Sequence, residues 1–259
     1  MKPTKSQFKI EKNLQYKWAK DDFEVESKIE DLISYTMVQI KLLIDEFYTN
    51  NADEDKLHRK SVTKTGLGGE SKVETLKQDI LRKLKNTNNQ VMILIVNHLI
   101  NSFIIEHNRQ GDLLEVQLEK VVPDPTKEVE PYFKSRKGYS TKQRIALAVF
   151  LTGMYVDIRS YRKKRDEFLR NIEILKNNSL SLLRTKASEM RADAQKDAFK
   201  QAGVEYYYFS SEADSNVCSI CASLHGKRFP VSEMEKGVNC QPMHPNCRCS
   251  CISESGRKL

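Results

Sequence analysis

The sequence predicts a mainly α fold, with a multi-helix N-terminal part and a small α+β module at the C-terminus. Through most of the first 202 residues, apolar side chains recur every three or four positions, which is the spacing of one helix face. After Gly203 the pattern changes to short runs of aromatic and β-branched residues, which are typical of strands. All six cysteines of the 259-residue chain lie in this last part, between residues 218 and 251.

The composition is that of a soluble protein with a sizeable core, because 39% of the residues are hydrophobic and 30% are charged. The opening residues contain no apolar run typical of a secretory signal. The two most apolar runs, 91–105 and 145–158, are interrupted by polar residues, so we expect no membrane span. In a reducing cytoplasm, clustered cysteines favour a metal site over disulfides.

Residues 1–122 are predicted to form a helical N-terminal region. The apolar periodicity of residues 25–47 predicts one amphipathic helix. A capping box predicts that a second helix begins at Lys72 and ends near the NTNN sequence at 86–89. The segment that follows, to about His107, is apolar nearly all round, so we expect a buried helix there, with a strand pair as the alternative.

The clearest domain boundary in the sequence is a proline-containing segment. Pro123, Pro125 and Pro131 lie among charged residues and predict a linker or an extended arm over residues 123–140. The segment separates the N-terminal region from a second set of helices, over residues 141–202.

Two long helices are predicted after this boundary. The first covers residues 141–176 and the second residues 180–202, with a break at the polar residues 177–179 between them. Gly203 is expected to end the second helix as its C′ residue. The last domain, residues 203–259, begins with the strand-like sequence VEYYYFSS.

The cysteines of the last domain have the spacing of a zinc site. Cys218 and Cys221 form a C-x2-C pair, and His244 and Cys247 form a second pair after 22 intervening residues, with Cys249 two positions further on. Two such pairs can supply the thiolate and imidazole ligands of a tetrahedral zinc ion, which would stabilise the module. Five candidates compete for four positions, and the sequence leaves open which of Cys247 and Cys249 is the fourth ligand.

A disulfide framework and a set of reduced core cysteines are the alternatives to zinc. Nothing in the sequence indicates export, which disfavours disulfides, and core cysteines would be scattered rather than clustered. Cys240 and Cys251 fall outside both pairs and are interpreted as bystanders, and His225 is interpreted as a surface residue.

The zinc is expected to be structural, and the protein is not expected to be an enzyme. A catalytic zinc keeps one position open for water and needs a general base nearby. The H-x-E element of zinc deaminases is absent from the sequence upstream of the C-x2-C pair. A metal-dependent nuclease stays open as a minor alternative, with His225 and His244 as the available histidines.

Basic residues are concentrated between residues 134 and 170, where eleven lysines and arginines accompany three acidic residues. This segment therefore carries the same net charge, +8, as the whole chain. We expect it to contact nucleic acid through phosphate groups without base specificity, and a solvated helix face is the alternative. Residues 203–259 are neutral overall, unlike the basic recognition helix of a zinc finger. The candidate contacts are Arg159, Arg162, Lys163, Lys164 and Arg165.

The C-terminal sequence resembles a specific family signature. It contains Asp214, the VCSIC of residues 217–221, the LHGKRF of 224–229 and the HPNCRC of 244–249, and the pattern extends upstream to the Arg-Thr pair at 184–185. This combination is similar to the C-terminal signature of the phage Mu F-like minor head, or head morphogenesis, proteins. The resemblance covers roughly the last 85 residues, whereas the first 140 carry no matching motif.

The resemblance implies a structural virion protein of a tailed phage or prophage, located inside the head, and in the host cytoplasm during assembly. It implies association with the portal protein, with other head proteins and with packaged DNA, and a role in head assembly or DNA delivery (ejection). The zinc cluster would be structural, and the motif itself establishes no enzymatic activity. The alternatives are a metal-dependent nuclease or phage-borne toxin built on the same module, and a transcription-type zinc protein.

Overall fold

The structure is a computed structural model that describes residues 5–50, 67–135, 138–156, 161–211 and 214–254. Helices account for 74% of the described residues, and three short antiparallel strands form a sheet near the C-terminus. The predicted fold class, mainly α with a small C-terminal α+β module, is confirmed in these terms.

Five helices precede the sheet in the described part of the chain. The last of them, α5 (Tyr161–Gln201), ends in a Schellman motif, because the N–H of Gly203 bonds to the carbonyl of Lys200 and the N–H of Val204 bonds to that of Phe199. Gly203 has a φ of +67°, which glycine adopts without strain, so it takes the predicted C′ position. The helices are α1 (Lys5–Asn50), α2 (Leu67–Leu114), α3 (Thr126–Lys134), α4 (Tyr139–Val156) and α5 (Tyr161–Gln201).

The C-terminal module is built around the central strand of the sheet. This strand, β1 (Tyr206–Ser210), is antiparallel to both of its neighbours, β2 (Arg228–Pro230) and β3 (Ser250–Ser253). Tyr207 in β1 lies opposite Phe229 of β2 and Ser253 of β3. Four of the five residues of β1 are buried, which suits its aromatic sequence. The strands are β1 (Tyr206–Ser210), β2 (Arg228–Pro230) and β3 (Ser250–Ser253), with the short helix α6 (Ser219–Leu224) between the first two.

The chain divides into two compact units. The first consists of Met1–Ser27, Ile95–Pro125 and Ser179–Leu259, and the second of Lys28–Leu94 and Thr126–Asn178. The boundaries fall inside α1, α2 and α5, so each of these helices contributes residues to both units. The four consecutive domains expected from the sequence stay a prediction.

The break predicted at residues 86–89 is wrong, because α2 continues through these residues. Thr87 and Asn88 are buried in the second unit and are satisfied by hydrogen bonds. The hydroxyls of Thr36 and Thr87 lie 2.7 Å apart, and Nδ2 of Asn88 donates to Oε1 of Gln143 at 2.6 Å. Partners from other helices therefore stabilise helical backbone that local propensity disfavours.

The break predicted at residues 177–179 is also wrong, because α5 is continuous from Tyr161 to Gln201. Residues 177 and 178 are exposed, so their amide side chains reach solvent without interrupting the helix, while Ser179 is buried. The cost of two asparagines within a helix is below about 1 kcal/mol each, which packing elsewhere along the helix overcomes.

The proline-containing segment contains a helix, α3, where the sequence predicted a linker or an arm. Pro131 lies inside this helix and removes one backbone hydrogen bond. Val129 and Phe133 are buried, and the ring of Phe133 packs edge-on against Tyr139 with 5.1 Å between the centroids. Burial of these apolar side chains offsets the missing hydrogen bond.

One described helix is long and apolar enough to cross a membrane, judged by length and composition. It is Lys72–Leu114, and 44% of its most apolar 18-residue window is buried inside the protein. The core helix of a soluble protein meets the same criterion, so the expectation that the chain has no membrane span stays a prediction.

Candidate metal centre

Cys218 and Cys221 flank the first turn of α6. Cys218 is the N-cap residue, and its Sγ accepts a hydrogen bond from the backbone N–H of Cys221 at 3.3 Å. This hydrogen bond favours the thiolate and lowers the pKa of Cys218. The turn therefore holds the C-x2-C pair in one local arrangement, as the spacing predicted.

Cys221 is shared by two groups of potential metal ligands. The first group is Cys218, Cys221 and His244, and the second is Cys221, Cys247 and Cys249; within each group the ligand atoms lie within 4.8 Å of one another. Sγ of Cys221 is 3.5 Å from Nε2 of His244 and 3.9 Å from Sγ of Cys247. The structure thus brings together all five side chains that the sequence singled out.

The imidazole of His244 is oriented for metal binding through Nε2. Its Nδ1 lies 2.9 Å from the backbone carbonyl oxygen of Pro245. A carbonyl can only accept, so Nδ1 carries the proton and donates, which leaves the lone pair of Nε2 on the side of Cys221. Metal-binding histidines use this kind of bond on the second nitrogen to fix the tautomer and the ring orientation.

Cys247 and Cys249 are both buried, but their surroundings favour different protonation states. A hydrogen bond from the side chain of Cys249, helped by the backbone N–H groups of Cys249 and Met243, outweighs burial and lowers the pKa of Cys247 to about 5. The same contact, together with burial, raises the pKa of Cys249. Cys247 is therefore the preferred thiolate of the two, and Cys249 the preferred hydrogen-bond donor.

The donor types and two of the separations fit a tetrahedral metal ion such as zinc. Zn–S bonds of about 2.3 Å and Zn–N bonds of about 2.0 Å place two sulfurs about 3.8 Å apart, and a sulfur and a nitrogen about 3.5 Å apart. The Cys221–Cys247 and Cys221–His244 separations, 3.9 Å and 3.5 Å, agree with these edges. Because the ligand atoms fall into two groups that share Cys221, the groups would draw closer together around one ion.

Cys240 and Cys251 belong to a different part of the module. Both are buried beside Phe199 and Tyr207 in an apolar cluster, and neither belongs to the two groups of potential ligands. Their Sγ atoms lie 3.7 Å apart, and the thiol of Cys251 donates to Oε1 of Gln241 at 3.1 Å. They pack as small apolar side chains, which agrees with their interpretation as bystanders.

An ion pair between two signature residues connects the segments on either side of α6 and β2. Arg248 bonds to the carboxylate of Asp214, with N–O distances of 2.7 Å and 2.9 Å. The hydrogen bond from Arg248, with a further one from the backbone N–H of Asn216, lowers the pKa of Asp214. Asp214, from the D-x-x-x-C element, thus holds the side chain of Arg248, from the HPNCRC sequence.

A second contact connects α5 to the HPNCRC turn. Oγ1 of Thr185 accepts a hydrogen bond from the backbone N–H of Asn246 at 3.2 Å. Asn246 has a φ of +60°, a left-handed conformation that asparagine tolerates better than most residues. Thr185, the second residue of the Arg-Thr element, therefore helps to fix the turn between His244 and Cys247.

His225 lies outside both groups of potential ligands. It is exposed, as the sequence predicted, and its Nδ1 accepts a hydrogen bond from the backbone N–H of Ser211 at 3.1 Å. This contact ties the end of α6 to the end of β1. The histidine considered as a general base in the nuclease alternative thus makes a structural hydrogen bond.

Four of the five candidate nucleic-acid contacts lie at the start of α5, and Arg159 lies outside the described residues. Arg162 and Lys163 are exposed and Lys164 is half-buried. Arg165 is only 8% exposed and forms ion pairs with Asp45 and Asp166. Its charge is therefore neutralised within the second unit, which leaves Arg162 and Lys163 as the most accessible of the group.

A buried ion-pair network in the first unit was not predicted. Nη2 and Nη1 of Arg191 donate to the carboxylate of Asp22 at 2.5 Å and 3.1 Å, and Nε2 of His98 lies 2.7 Å from the same carboxylate. Burial would raise the pKa of Asp22, but the hydrogen bond from His98 and the charge of Arg191 hold it below its usual value. In the structure, Glu26 pairs with Arg184. The signal for this network in the sequence was the i,i+4 spacing of Asp22 and Glu26, which places both carboxylates on one helix face.

Comparison with known families matches residues 159–252 to the family described as Phage Mu protein F like protein. The matched segment includes every candidate metal ligand and the Arg-Thr, D-x-x-x-C and HPNCRC elements, so the resemblance noted in the sequence is confirmed there. No curated protein and no solved structure matches the chain. The family suggests a structural protein related to the phage head. Residues 159–252, about a third of the chain, are therefore similar to the family described as Phage Mu protein F like protein.

Proposed function

We propose that the protein is a phage minor head (head morphogenesis) protein that acts in head assembly or DNA delivery, in association with the portal. It is assembled in the host cytoplasm and resides inside the virion head. One observation carries the proposal: the signature residues of the family-matched region contact one another around a single Cys/His cluster. In this proposal the region is a rigid structural module and not an active site.

The proposed cofactor is a structural zinc ion bound by Cys218, Cys221, His244 and Cys247. Four protein ligands fill a tetrahedron and leave no position for a reactive water, which is the arrangement of a structural site. Cys247 is preferred over Cys249 because hydrogen bonds from Cys249 and from backbone N–H groups lower the pKa of Cys247, whereas the same contact and burial raise the pKa of Cys249. Cys249 would then support the site by donating a hydrogen bond to Cys247.

The role of the zinc follows from the small size of the apolar cluster around it. Its buried members are Phe209 and the three cysteines Cys221, Cys247 and Cys249, and the side chains packed against them are only partly buried. So small an apolar core provides little free energy of folding by itself. A metal ion that joins the start of α6 to the HPNCRC turn would supply the missing stability.

The proposed contact with packaged DNA is made by the exposed basic side chains at the start of α5. Arg162 and Lys163 would bind phosphate groups without reading bases, so affinity should fall steeply as salt is raised. Arg165 contributes less, because Asp45 and Asp166 already neutralise its charge. A double variant, R162E/K163E, should abolish binding to a DNA duplex, whereas Lys163→Arg should preserve it.

The test of the proposed role is the composition of purified virions. Mass spectrometry of heads should find the protein together with the portal protein, at a few copies per head. Its absence from purified heads would contradict the proposal. DNA cleavage by the purified protein in a screen of divalent metals, lost in His225→Ala with folding intact, would favour the nuclease alternative instead.

A further inference from the structure

A groove of about 450 Å³ lies between α4 and α5 in the second compact unit. Phe150 and Phe168 line it and are almost fully buried, and their rings stack with 5.5 Å between the centroids. Ile145 and Val149 of α4 also line it, but they are 60% and 68% exposed. Apolar side chains that are exposed together beside an apolar groove are typical of a surface that a partner covers.

The groove lies beside a basic helix. The sequence of α4, residues 139–156, contains Lys142 and Arg144, which are both exposed, and no acidic residue. Among the described residues that line the groove, Lys142 and Lys164 accompany one carboxylate, Glu167. A segment that suits this groove therefore carries apolar side chains next to acidic ones.

The chain itself presents an apolar stripe of this kind on α1. The stripe consists of Tyr35, Val38 and Leu42, which are spaced i, i+3 and i+7 and so share one face of the helix. Their side chains are 65%, 54% and 57% exposed. Three large apolar side chains on one exposed helix face gain free energy when a partner covers them.

The charge around the α1 stripe is opposite to that of the groove. Residues 31–46 contain three acidic residues and one basic residue. Asp31 and Glu46 are exposed and lie four residues before and four residues after the stripe, whereas Asp45 is paired with Arg165. Contact between the stripe and the groove would therefore bring opposite charges together at the edge of an apolar interface.

The α1 stripe cannot enter the groove of its own copy. Within the second unit, the ring of Tyr48 stacks on that of Tyr161 with 3.7 Å between the centroids, and Asp45 forms an ion pair with Arg165. These contacts hold the C-terminal end of α1 beside the N-terminal end of α5, while the stripe and the edge of the groove both stay exposed. The stripe that fills a groove must therefore come from another copy.

We propose that the groove between α4 and α5 binds the α1 stripe of a second copy of this chain. The contact joins two different surfaces, so each copy keeps a groove or a stripe available for a further copy. Association is then head to tail, and it extends to a ring or a filament instead of stopping at a two-fold dimer. The proposal uses the second unit alone and does not depend on zinc, on the contact with DNA or on the assignment to the phage head.

Sedimentation velocity of the full-length chain measures this association. The two surfaces are small, so we expect reversible association with half-saturation roughly between 10 μM and 1 mM. The weight-average mass should rise with protein concentration and pass that of a dimer.

Two variants disable one surface each. Ile145→Asp places a carboxylate in the groove, where it would face an acidic segment, and Leu42→Lys places an ammonium in the stripe, where it would face a basic groove. Each variant alone should associate at least about tenfold more weakly than the wild type. An equimolar mixture of the two should form a heterodimer and no larger species, because one variant supplies an intact groove and the other an intact stripe.

The matched controls are Ile174→Asp and Val122→Lys, which place the same charges at positions outside the groove and the stripe. Ile174 and Val122 are 58% and 71% exposed, so both variants should fold and associate as the wild type does. Helical circular dichroism checks the folding of all four variants.

Three results would overturn the proposal. The first is a wild-type chain that stays monomeric up to about 1 mM. The second is self-association that survives in Ile145→Asp and Leu42→Lys, or a mixture of the two that forms no heterodimer. The third is a groove that binds the portal protein, with binding lost in Ile145→Asp, while the chain alone stays monomeric; the groove would then belong to a different partner.

Discussion

The second compact unit and the C-terminal module differ in what fills their interiors. In the second unit, Ile40 of α1 and Ile80 of α2 are fully buried, as are other aliphatic side chains of the long helices. In the module, one buried cluster contains Phe209 and three cysteines, and a second, which includes Tyr207, Val231 and Met234, packs against Phe199 of α5. We therefore propose that the long helices are stabilised mainly by buried hydrocarbon, whereas the cysteine cluster of the module depends on a bound ion.

The difference also explains where the two regions place their polar contacts. In the second unit, polar contacts such as that between Thr36 and Thr87 satisfy buried groups within a core that is already apolar. In the module, the ion pair of Asp214 with Arg248 and the bond between Thr185 and Asn246 position the segments that carry the ligands. Metal removal should therefore affect one region and apolar truncation the other.

The largest expected effect is that of Cys221→Ser, because Cys221 belongs to both groups of potential ligands. Structural zinc contributes on the order of 10 kcal/mol to folding, so the module should unfold. Limited proteolysis should cut within residues 206–254, while most of the helical circular dichroism is retained. The matched control is Cys240→Ser, a buried cysteine of the same module outside both groups, which should keep its metal. If residues 206–254 were equally protected from proteolysis in the two variants, the proposed dependence of the module on metal would be contradicted.

Asp22→Asn comes next, because it leaves the buried guanidinium of Arg191 without its carboxylate. Breaking one side of a buried pair costs about 3–5 kcal/mol, measurable by urea denaturation. The pKa of Asp22 is lowered in the folded protein, so this stability is present above the ordinary aspartate pKa of 3.8 and is lost as the pH falls through the lowered pKa. The difference between wild type and variant should therefore shrink below about pH 3.8. A constant difference would contradict the ionic explanation, and Asp21→Asn, at a half-buried neighbour, is the control.

Ile80→Ala tests the apolar interior of the second unit. Ile80 is fully buried, so the cavity left behind should cost about 2–5 kcal/mol of unfolding free energy without changing metal content. Ile93 lies on the same helix with 54% of its surface exposed, and Ile93→Ala should cost less than about 0.5 kcal/mol. Loss of metal from Ile80→Ala would show that the two regions are less distinct than we propose.

Gly203→Ala tests the junction between α5 and β1. A Cβ at this position would meet nothing within 4 Å, so any cost comes from the positive φ and should be about 1–2 kcal/mol. Gly203→Asn should cost less, because asparagine tolerates the left-handed region better than alanine. Thermal denaturation measures the stability of the two variants. Equal losses of stability would argue against the positive φ of residue 203 as the cause.

The smallest effect is expected for Arg248→Ala. The pair with Asp214 is partly exposed, with 44% and 32% of the two side chains accessible, so its contribution should be about 0.2–1 kcal/mol and should fall with salt. A double-mutant cycle with Asp214→Ala isolates the interaction. A coupling energy well above this range would show that the ion pair, and not only the metal, stabilises the module.

The sequence predicted the features that depend on local spacing. The C-x2-C turn, the H-x2-C pair and β1 are each encoded within a few residues, so pattern alone located them. The strand lies at Tyr206–Ser210, inside the predicted 204–211. The choice between Cys247 and Cys249 needed the hydrogen bonds around each sulfur, which spacing does not determine.

The features that the sequence missed depend on residues far apart in the chain. Asn88 suggested a helix end because asparagine has a low helix propensity. The residue that satisfies its buried side chain, Gln143, lies 55 positions away in the sequence. Asp22 and Arg191 are separated by 169 positions, so neither could be recognised as half of a buried ion pair. In the same way Arg165 was interpreted as a solvent-facing cation, although it pairs with Asp45 of another helix. Local patterns cannot report partners that only the tertiary fold brings together.

The central claim is that a metal ion joins α6 to the HPNCRC turn, and X-ray absorption at the zinc edge of natively purified protein tests it most directly. The account predicts zinc at one equivalent, with three sulfur neighbours and one nitrogen neighbour at tetrahedral distances. Natively purified protein without a bound transition metal, or with Cys218, Cys221 and Cys247 oxidised to disulfides, would contradict it.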